Sequence, residues 1–292
     1  MMIDEALEKF LVQLEANGRS DHTIRQYKRH IRLFSHWIAD VGHSGDVSEI
    51  THEDVARFLA SPCARIRPDG RIKKAVSMNA MRTSLRGFFT YLHEAGFISD
   101  NPCRVLQRAL CSPPPPKTMS RDEIDRLMET LTLATGFHAE RDHLLFHLLL
   151  ASGLRLGSAL AINIEDIDLD RGEVWLTSMK GDRQDRVFLN AAIVDHLRKF
   201  IAERTRGVLF TDMQGRRLSH RHAHRRFTTW LQRAGIARPY SPHSIRHSFA
   251  TFLYQRTQDV FLVKQALHHK NVASTLIYAE FDESRLRRAL ES

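Results

Sequence analysis

The chain is poor in cysteine, with only Cys63, Cys103 and Cys111 among 292 residues. None belongs to a C-x-x-C pair, and so odd and scattered a set speaks against a disulfide framework and for a reducing cytosol. Long apolar runs are also missing, and no stretch approaches the length of a membrane span. No apolar segment follows a basic start at the N-terminus, so no signal peptide is expected. Repeats are absent, and the single low-complexity tract is Pro113-Pro114-Pro115-Pro116. Apolar residues are not scarce: they make up 42% of the chain, enough to bury real cores. Lys and Arg number 43 against 34 Asp and Glu, a net charge of +9. The cation excess lies on both sides of the proline run. Such a balance favours a polyanionic partner, nucleic acid first, with a merely solubilising charge as the plainer alternative.

Four consecutive prolines cannot continue a helix. Directly after them, Ser120-Arg121-Asp122-Glu123 has the form of a capping box that starts a new helix. A domain boundary is therefore expected here. Before it the pattern is helical. Ile24, Tyr27, Ile31, Phe34 and Ile38 recur at helical spacing, Thr51 opens a second helix through Val55 and Phe58, and Met81, Leu85, Phe88 and Leu92 mark a third. Between the last two lies the cationic stretch Arg65 to Lys74. After the boundary, the apolar run Leu144 to Leu150 reads as a buried helix. Residues 167–169 and 174–176 read as a hairpin, and a further strand, 186–189, returns after Lys180. From Asn190 almost to the end the pattern is helical. The expected fold is mainly α with a small antiparallel β-sheet.

Five features then recur in order: Ala151-Ser152-Gly153-Leu154-Arg155; Lys180; His243-Ser244-Ile245-Arg246-His247; Leu267-His268-His269; and Ile277-Tyr278, nine residues after His269. A lone Gly-Leu-Arg or a lone Tyr means nothing, and Lys180 alone reads equally as a turn lysine. Their order and spacing carry the weight. Together they resemble the tyrosine recombinase, or phage integrase, family, whose signature is Arg, Lys, His-x-x-Arg, His and Tyr. The resemblance covers the whole part after the prolines, and more weakly the helical part before them.

The resemblance implies an Xer-like enzyme that cuts and rejoins duplex DNA through a 3′-phosphotyrosyl intermediate and a Holliday junction, with no metal and no cofactor. It implies a helical core-binding, SAM-like DNA-binding domain at 1–110, a Pro-rich linker at 111–118, and a catalytic domain at 119–292. The C-terminal helix of that domain would dock on a neighbouring protomer. The implied partners are duplex DNA with an inverted-repeat core site and further copies of the chain, as a tetramer on DNA. The implied location is the cytoplasm, at the nucleoid, with no membrane. On that resemblance, the short N-terminal stretch argues against a separate arm-binding domain.

The chemistry suits the residues. Cleaving a phosphodiester develops negative charge on non-bridging oxygens, and the forked, always-charged guanidiniums of Arg155 and Arg246 suit those oxygens. His269 can add a hydrogen bond to the same group. Tyr278 can attack phosphorus and store the broken bond's energy in a covalent link, so no ATP is required. Lys180 is the candidate general acid for the leaving oxygen, and His243 the candidate base or orienter for the phenol. His247 is assigned a supporting role. Candidate DNA contacts are Arg65, Arg67, Arg71, Lys73 and Lys74 in the first part and His222, Arg225 and Arg226 in the second. The alternating histidines around His222 suit phosphate contact near a helix start better than a metal.

Two positions depart from the family pattern. His268 stands where glycine is usual, and glycine would take positive φ freely. Ser158 stands where an acidic residue is usual, which bears on rate more than on mechanism. These departures leave open a catalytically weakened accessory DNA-binding protein, and the sequence also leaves open a mobile-element integrase rather than a chromosome-dimer resolvase. A topoisomerase-like enzyme that never pairs sites shares the same chemistry.

Overall fold

A computed structural model describes residues 1–111, 116–176, 185–268 and 271–278, which fall in two compact units, Met1–Pro113 and Pro114–Ser292. Lys180, His269, most of the proline run and the C-terminal segment 281–292 lie outside the described residues.

The first unit is helical. Helix α1 spans Ile3–Ala16, α2 Asp21–Asp40, α3 His52–Ala60, α4 Pro62–Arg65 and α5 Ala75–Glu94. The start of α3 follows from its sequence. Thr51 Oγ1 accepts from the Asp54 amide while the Asp54 carboxylate accepts from the Thr51 amide, so two orphan donors are satisfied reciprocally. Inward-facing aromatics make the core. Phe34 meets Phe58 edge-on at 5.1 Å, and Phe88 meets Phe89 likewise at 5.2 Å. Full burial of such rings contributes roughly 1.5–3 kcal/mol each. One polar pair crosses this core: His30 Nδ1 on α2 lies 2.8 Å from Ser84 Oγ on α5. The cationic stretch after α4 folds back on itself, with Ile66 bridged to Ile72 and the Arg67 amide donating to the Arg71 carbonyl at 2.9 Å.

In the second unit, α6 (Arg121–Thr132) packs on α7 (Phe137–Ser152), and α8 (Leu156–Ala161) leads toward a three-stranded sheet and further helices. Ser120 and Glu123 form the expected capping box at the start of α6. Helix α7 is buried on nearly every side, so its sequence has Leu144, Leu145, Phe146, Leu148 and Leu149 in close succession rather than an amphipathic stripe. The strands are β1 (Ile167–Asp168), β2 (Glu173–Leu176) and β3 (Asp185–Phe188), antiparallel in the order β1-β2-β3. Trp175 pairs with Arg186, whose guanidinium lies 5.2 Å from the indole ring. The remaining helices are α9 (Ala191–Ile201), α10 (His220–Arg233), α11 (Pro242–Thr257) and α12 (Val260–Ala266), followed by a short 3-10 turn at Leu276–Tyr278.

The expected helical pattern after Asn190 is interrupted by extended chain between α9 and α10. Positive φ at Ala202 (51°) and Gly207 (107°) turns the chain, and bridges join Asn163 to Val208 and Thr211 to Arg217. Burial of Leu209 and Phe210 holds this segment extended against the core.

At the centre of the unit, Arg141 and Asp142 are both fully buried. Arg141 donates to Asp142 Oδ1 through Nε (3.0 Å) and Nη2 (2.6 Å), and to the Thr211 carbonyl through Nη1 (3.0 Å). The other carboxylate oxygen accepts from Trp230 Nε1 at 2.8 Å and Arg226 Nε at 2.5 Å. A buried carboxylate is tolerated when its lone pairs are met in this way. The network pins α10 to α7.

Candidate active site

The site starts where α7 stops. Gly153 takes the left-handed conformation (φ 64°) that ends the helix, and a Cβ there would fall 2.3 Å from the Phe249 ring. Both conditions demand glycine. The turn delivers Arg155 to the surface as the residue capping α8. It also presents the Gly153 carbonyl to α11.

Helix α11 opens with Pro242 at its first position and a capping box between Ser241 and Ser244. His243, Arg246 and His247 therefore share its first two turns. Arg246 is only 3% exposed. Its Nη1 donates to the Gly153 carbonyl at 2.6 Å and its Nη2 to the Leu267 carbonyl at 2.7 Å. Burial, reinforced by the neighbouring charge of Arg155, pulls its pKa down to about 10, so it remains a cation at neutral pH. Backbone oxygens thus aim the guanidinium without neutralising it.

Tyr278 closes the arrangement. It is 5% exposed and packs in a small cluster with Ala250, Val263 and Leu267. Its hydroxyl lies 2.6 Å from His247 Nδ1. Burial pushes the phenol pKa up, and the charges of Arg246 and Arg155 pull against that rise. His243 meets the His247 ring edge-on at 4.5 Å. Desolvation, then Arg246 and Arg155, hold His243 below the ordinary histidine pKa. Both guanidiniums thus act on the same tyrosine and the same histidine.

The structure brings together Arg155, His243, Arg246 and Tyr278. It departs from the sequence reading at the phenol, where His247, not His243, makes the hydrogen bond. The available signal was spacing: His247 is one helical turn after His243, on the same face of α11. His268, where glycine was the usual residue, does adopt positive φ, at 50°.

Among the candidate DNA contacts, Arg65, Arg67, Arg71 and Lys74 are exposed on the first unit, as is Arg225 on the second, while His222 is half-buried. Two of the candidates also have partners within the protein. The Nε of Arg226 is held by buried Asp142, and its guanidinium lies 5.4 Å from the Trp230 ring. Lys73 is half-buried, and its ammonium donates to the Ala64 carbonyl at 2.7 Å, bracing the turn it sits in. Among the described residues, no helix is long and apolar enough to cross a membrane.

Residues 117–285 match the phage integrase family, and residues 7–96 match the phage integrase N-terminal SAM-like domain. The chain belongs to the phage integrase family and is a tyrosine recombinase, a class of enzyme that cleaves DNA and exchanges strands. Among similar proteins, the tyrosine recombinase XerC of Vibrio campbellii is 30% identical over 298 residues, covering 99% of this chain and 91% of the relative. XerC of Chromobacterium violaceum is 27% identical over 293 residues, covering 99% and 94%. Among solved structures, the XerH recombinase bound to its difH substrate superposes with a TM-score of 0.73 at 23% identity, covering 97% of this chain and 83% of that one. A lambda integrase dimer bound to a COC′ core site gives 0.72 at 19% identity, covering 97% and 98%.

Proposed function

We propose that the chain is a site-specific recombinase in which Tyr278 attacks the scissile phosphorus of duplex DNA. The phenolic oxygen forms a 3′-phosphotyrosyl bond while the bond to the 5′ oxygen breaks. His247 receives the phenolic proton. Lys180 supplies a proton to the leaving oxygen. Arg155 and Arg246 hold the non-bridging oxygens, assisted by His269, and His243 orients His247. The covalent bond keeps the energy of the cleaved one, so a second DNA 5′ hydroxyl can reverse the step with a new partner. Two such rounds across four protomers give strand exchange through a Holliday junction at an inverted-repeat core site.

One observation carries this reading: the Tyr278 hydroxyl is hydrogen-bonded to a histidine inside the field of two arginines, one of them fixed by main-chain carbonyls. Preorganised donors around developing charge supply much of the catalysis in such sites. Relatives solved on DNA substrates, including XerH before and after cleavage, lend support.

The test is a suicide substrate nicked beside the cleavage position. The wild-type chain is expected to leave a denaturant-resistant protein–DNA adduct, and Tyr278→Phe to bind the same DNA without one. A clean gel shift with no adduct from the wild type would replace this reading with the accessory DNA-binding protein. Adduct formation without product in a two-site assay would replace it with the topoisomerase-like enzyme.

A further inference from the structure

The cationic stretch between α4 and α5 is a short two-stranded ribbon. Its turn has Pro68 at the second position and Gly70 at the fourth, with the Gly70 amide donating to the Arg67 carbonyl at 2.9 Å. The bridged pair is Ile66 and Ile72. On one side of it the Arg67 amide donates to the Arg71 carbonyl at 2.9 Å, and on the other the Lys73 amide donates to the Arg65 carbonyl at 2.7 Å. Bonds set one residue beyond the pair on each side make it a non-hydrogen-bonded pair, the kind whose side chains lie closest, on one face of the ribbon. Alternation assigns Arg65, Arg67, Arg71 and Lys73 to the other face. The Lys73 ammonium, bonded to the Ala64 carbonyl, anchors the base.

Residues 65–72 are all exposed, so the ribbon projects with both faces open. Ile66 is 42% exposed and Ile72 71%. A single exposed aliphatic residue is ordinary. Two stiff β-branched side chains held side by side on a projecting ribbon form an apolar face that nothing in the first unit covers. The charges around that face indicate its partner. Arg65, Arg67, Arg71 and Lys74 are exposed, while the ribbon's one carboxylate, Asp69, accepts from the Arg71 amide at 3.1 Å. An apolar pair ringed by cations fits a polyanion that itself displays apolar groups. Duplex DNA does so in its major groove, where each thymine presents a C5-methyl. That groove, about 12 Å wide, admits a two-stranded ribbon, and the minor groove, about 6 Å wide, does not. The isoleucines lie on the flat of the ribbon rather than at its tip, which suits the groove floor better than a wedge between base steps.

We propose that the hairpin at 65–74 is a base-reading ribbon that enters the major groove of the DNA site, with Ile66 and Ile72 against thymine methyl groups and Arg65, Arg67, Arg71 and Lys74 on the flanking phosphates. The proposal rests on the DNA-binding reading above and adds sequence discrimination to it. Phosphate contacts serve any sequence, whereas the isoleucine pair distinguishes thymine from the bases that lack the methyl. Ile66 and Ile72 are thus specificity-determining residues. The tight turn and the anchored base hold the ribbon in shape before DNA arrives, which lowers the ordering cost of binding.

The experiment selects duplexes from a random-sequence pool with the full wild-type chain. Each thymine of the enriched duplex is then replaced in turn by deoxyuracil, which removes only the C5-methyl. The wild type is expected to lose about fourfold in affinity at one or more thymines of each half-site, the worth of one buried methyl. A variant carrying Ile66→Ala with Ile72→Ala should become insensitive at those positions while keeping the salt dependence of the wild type. Arg67→Ala and Arg71→Ala should instead weaken binding to every duplex, lower the salt slope by about one each, and keep the deoxyuracil pattern. Circular dichroism checks that each variant is folded. A wild type indifferent to every replacement would overturn the proposal, as would an unchanged pattern in the isoleucine variant. Failure to enrich any duplex would overturn the DNA-binding reading and the proposal with it. A change in the oligomeric state of the DNA-free chain in the isoleucine variant would assign this face to a second copy and likewise overturn the proposal.

Discussion

His247 Nδ1 and the Tyr278 hydroxyl stand 2.6 Å apart, joined across 31 residues of chain. In the proposed mechanism this contact makes His247 the acceptor of the phenolic proton. Replacing it with alanine is expected to slow single-turnover adduct formation by about 10²-fold while leaving DNA affinity within about twofold. Quenched-flow cleavage of a nicked substrate measures the rate, and a gel shift the affinity. An unchanged cleavage rate would remove His247 from the mechanism.

Gly153 offers a second test. Alanine there must hold φ near 64° and place a methyl against Phe249. The left-handed conformation costs about 1 kcal/mol for a residue with a Cβ and overpacking another 1–3 kcal/mol. Gly153→Ala is therefore expected to lower stability by about 2–4 kcal/mol in urea unfolding. Because the same residue seats Arg246, cleavage should fall even at temperatures where the variant is folded.

Asp142 compensates two arginines at once. Asp142→Asn leaves Arg141 buried beside a neutral amide, and removing one partner of a buried pair costs about 3–5 kcal/mol. Tryptophan fluorescence during urea unfolding should show that loss, whereas Arg225→Ala, at an exposed position on the same helix as Arg226, should leave stability within about 0.5 kcal/mol.

His30 sets a pH dependence in the first unit. Burial first, then the charges of Arg29 and Lys73, lower its pKa to about 4. The unfolded chain binds a proton at this site near pH 6.5, and the folded chain only near 4. As pH falls through that interval the unfolded state gains protons first, so stability drops, by on the order of 3 kcal/mol in total. Stability measured from pH 7 to 4 should show this decline, and His30→Gln should flatten it. An identical slope in the variant would assign the dependence to other groups.

The sequence announced elements better than partnerships. Helices α2, α3 and α5 follow from periodic apolar residues and α7 from an unbroken apolar run, while the capping boxes that open α3 and α6 were visible as Thr51 and Ser120 with acidic residues three positions later. The hairpin of β1 and β2 was legible from its turn residues. Helix α1 was passed over although Ile3, Leu7, Phe10 and Leu14 mark its buried face. The extended segment after α9 was masked by apolar residues that serve the core equally well in strand or helix. Arg226 and Arg225 look alike in sequence, and only the approach of Asp142 from α7 makes one structural and leaves the other exposed. Arg155 and Arg246 stood out as candidates because of motif spacing, whereas the contact of Tyr278 with His247 rather than His243 depends on where Tyr278 comes to rest.

The seat of Arg246 has a consequence for how the protein tolerates change. Both acceptors are main-chain oxygens, of Gly153 and Leu267. Exchange of the side chain at 267 leaves its oxygen in place, so long as the local chain path holds. The grip on this guanidinium is therefore written into the course of the backbone, and drift in the surrounding side chains can proceed without loosening it.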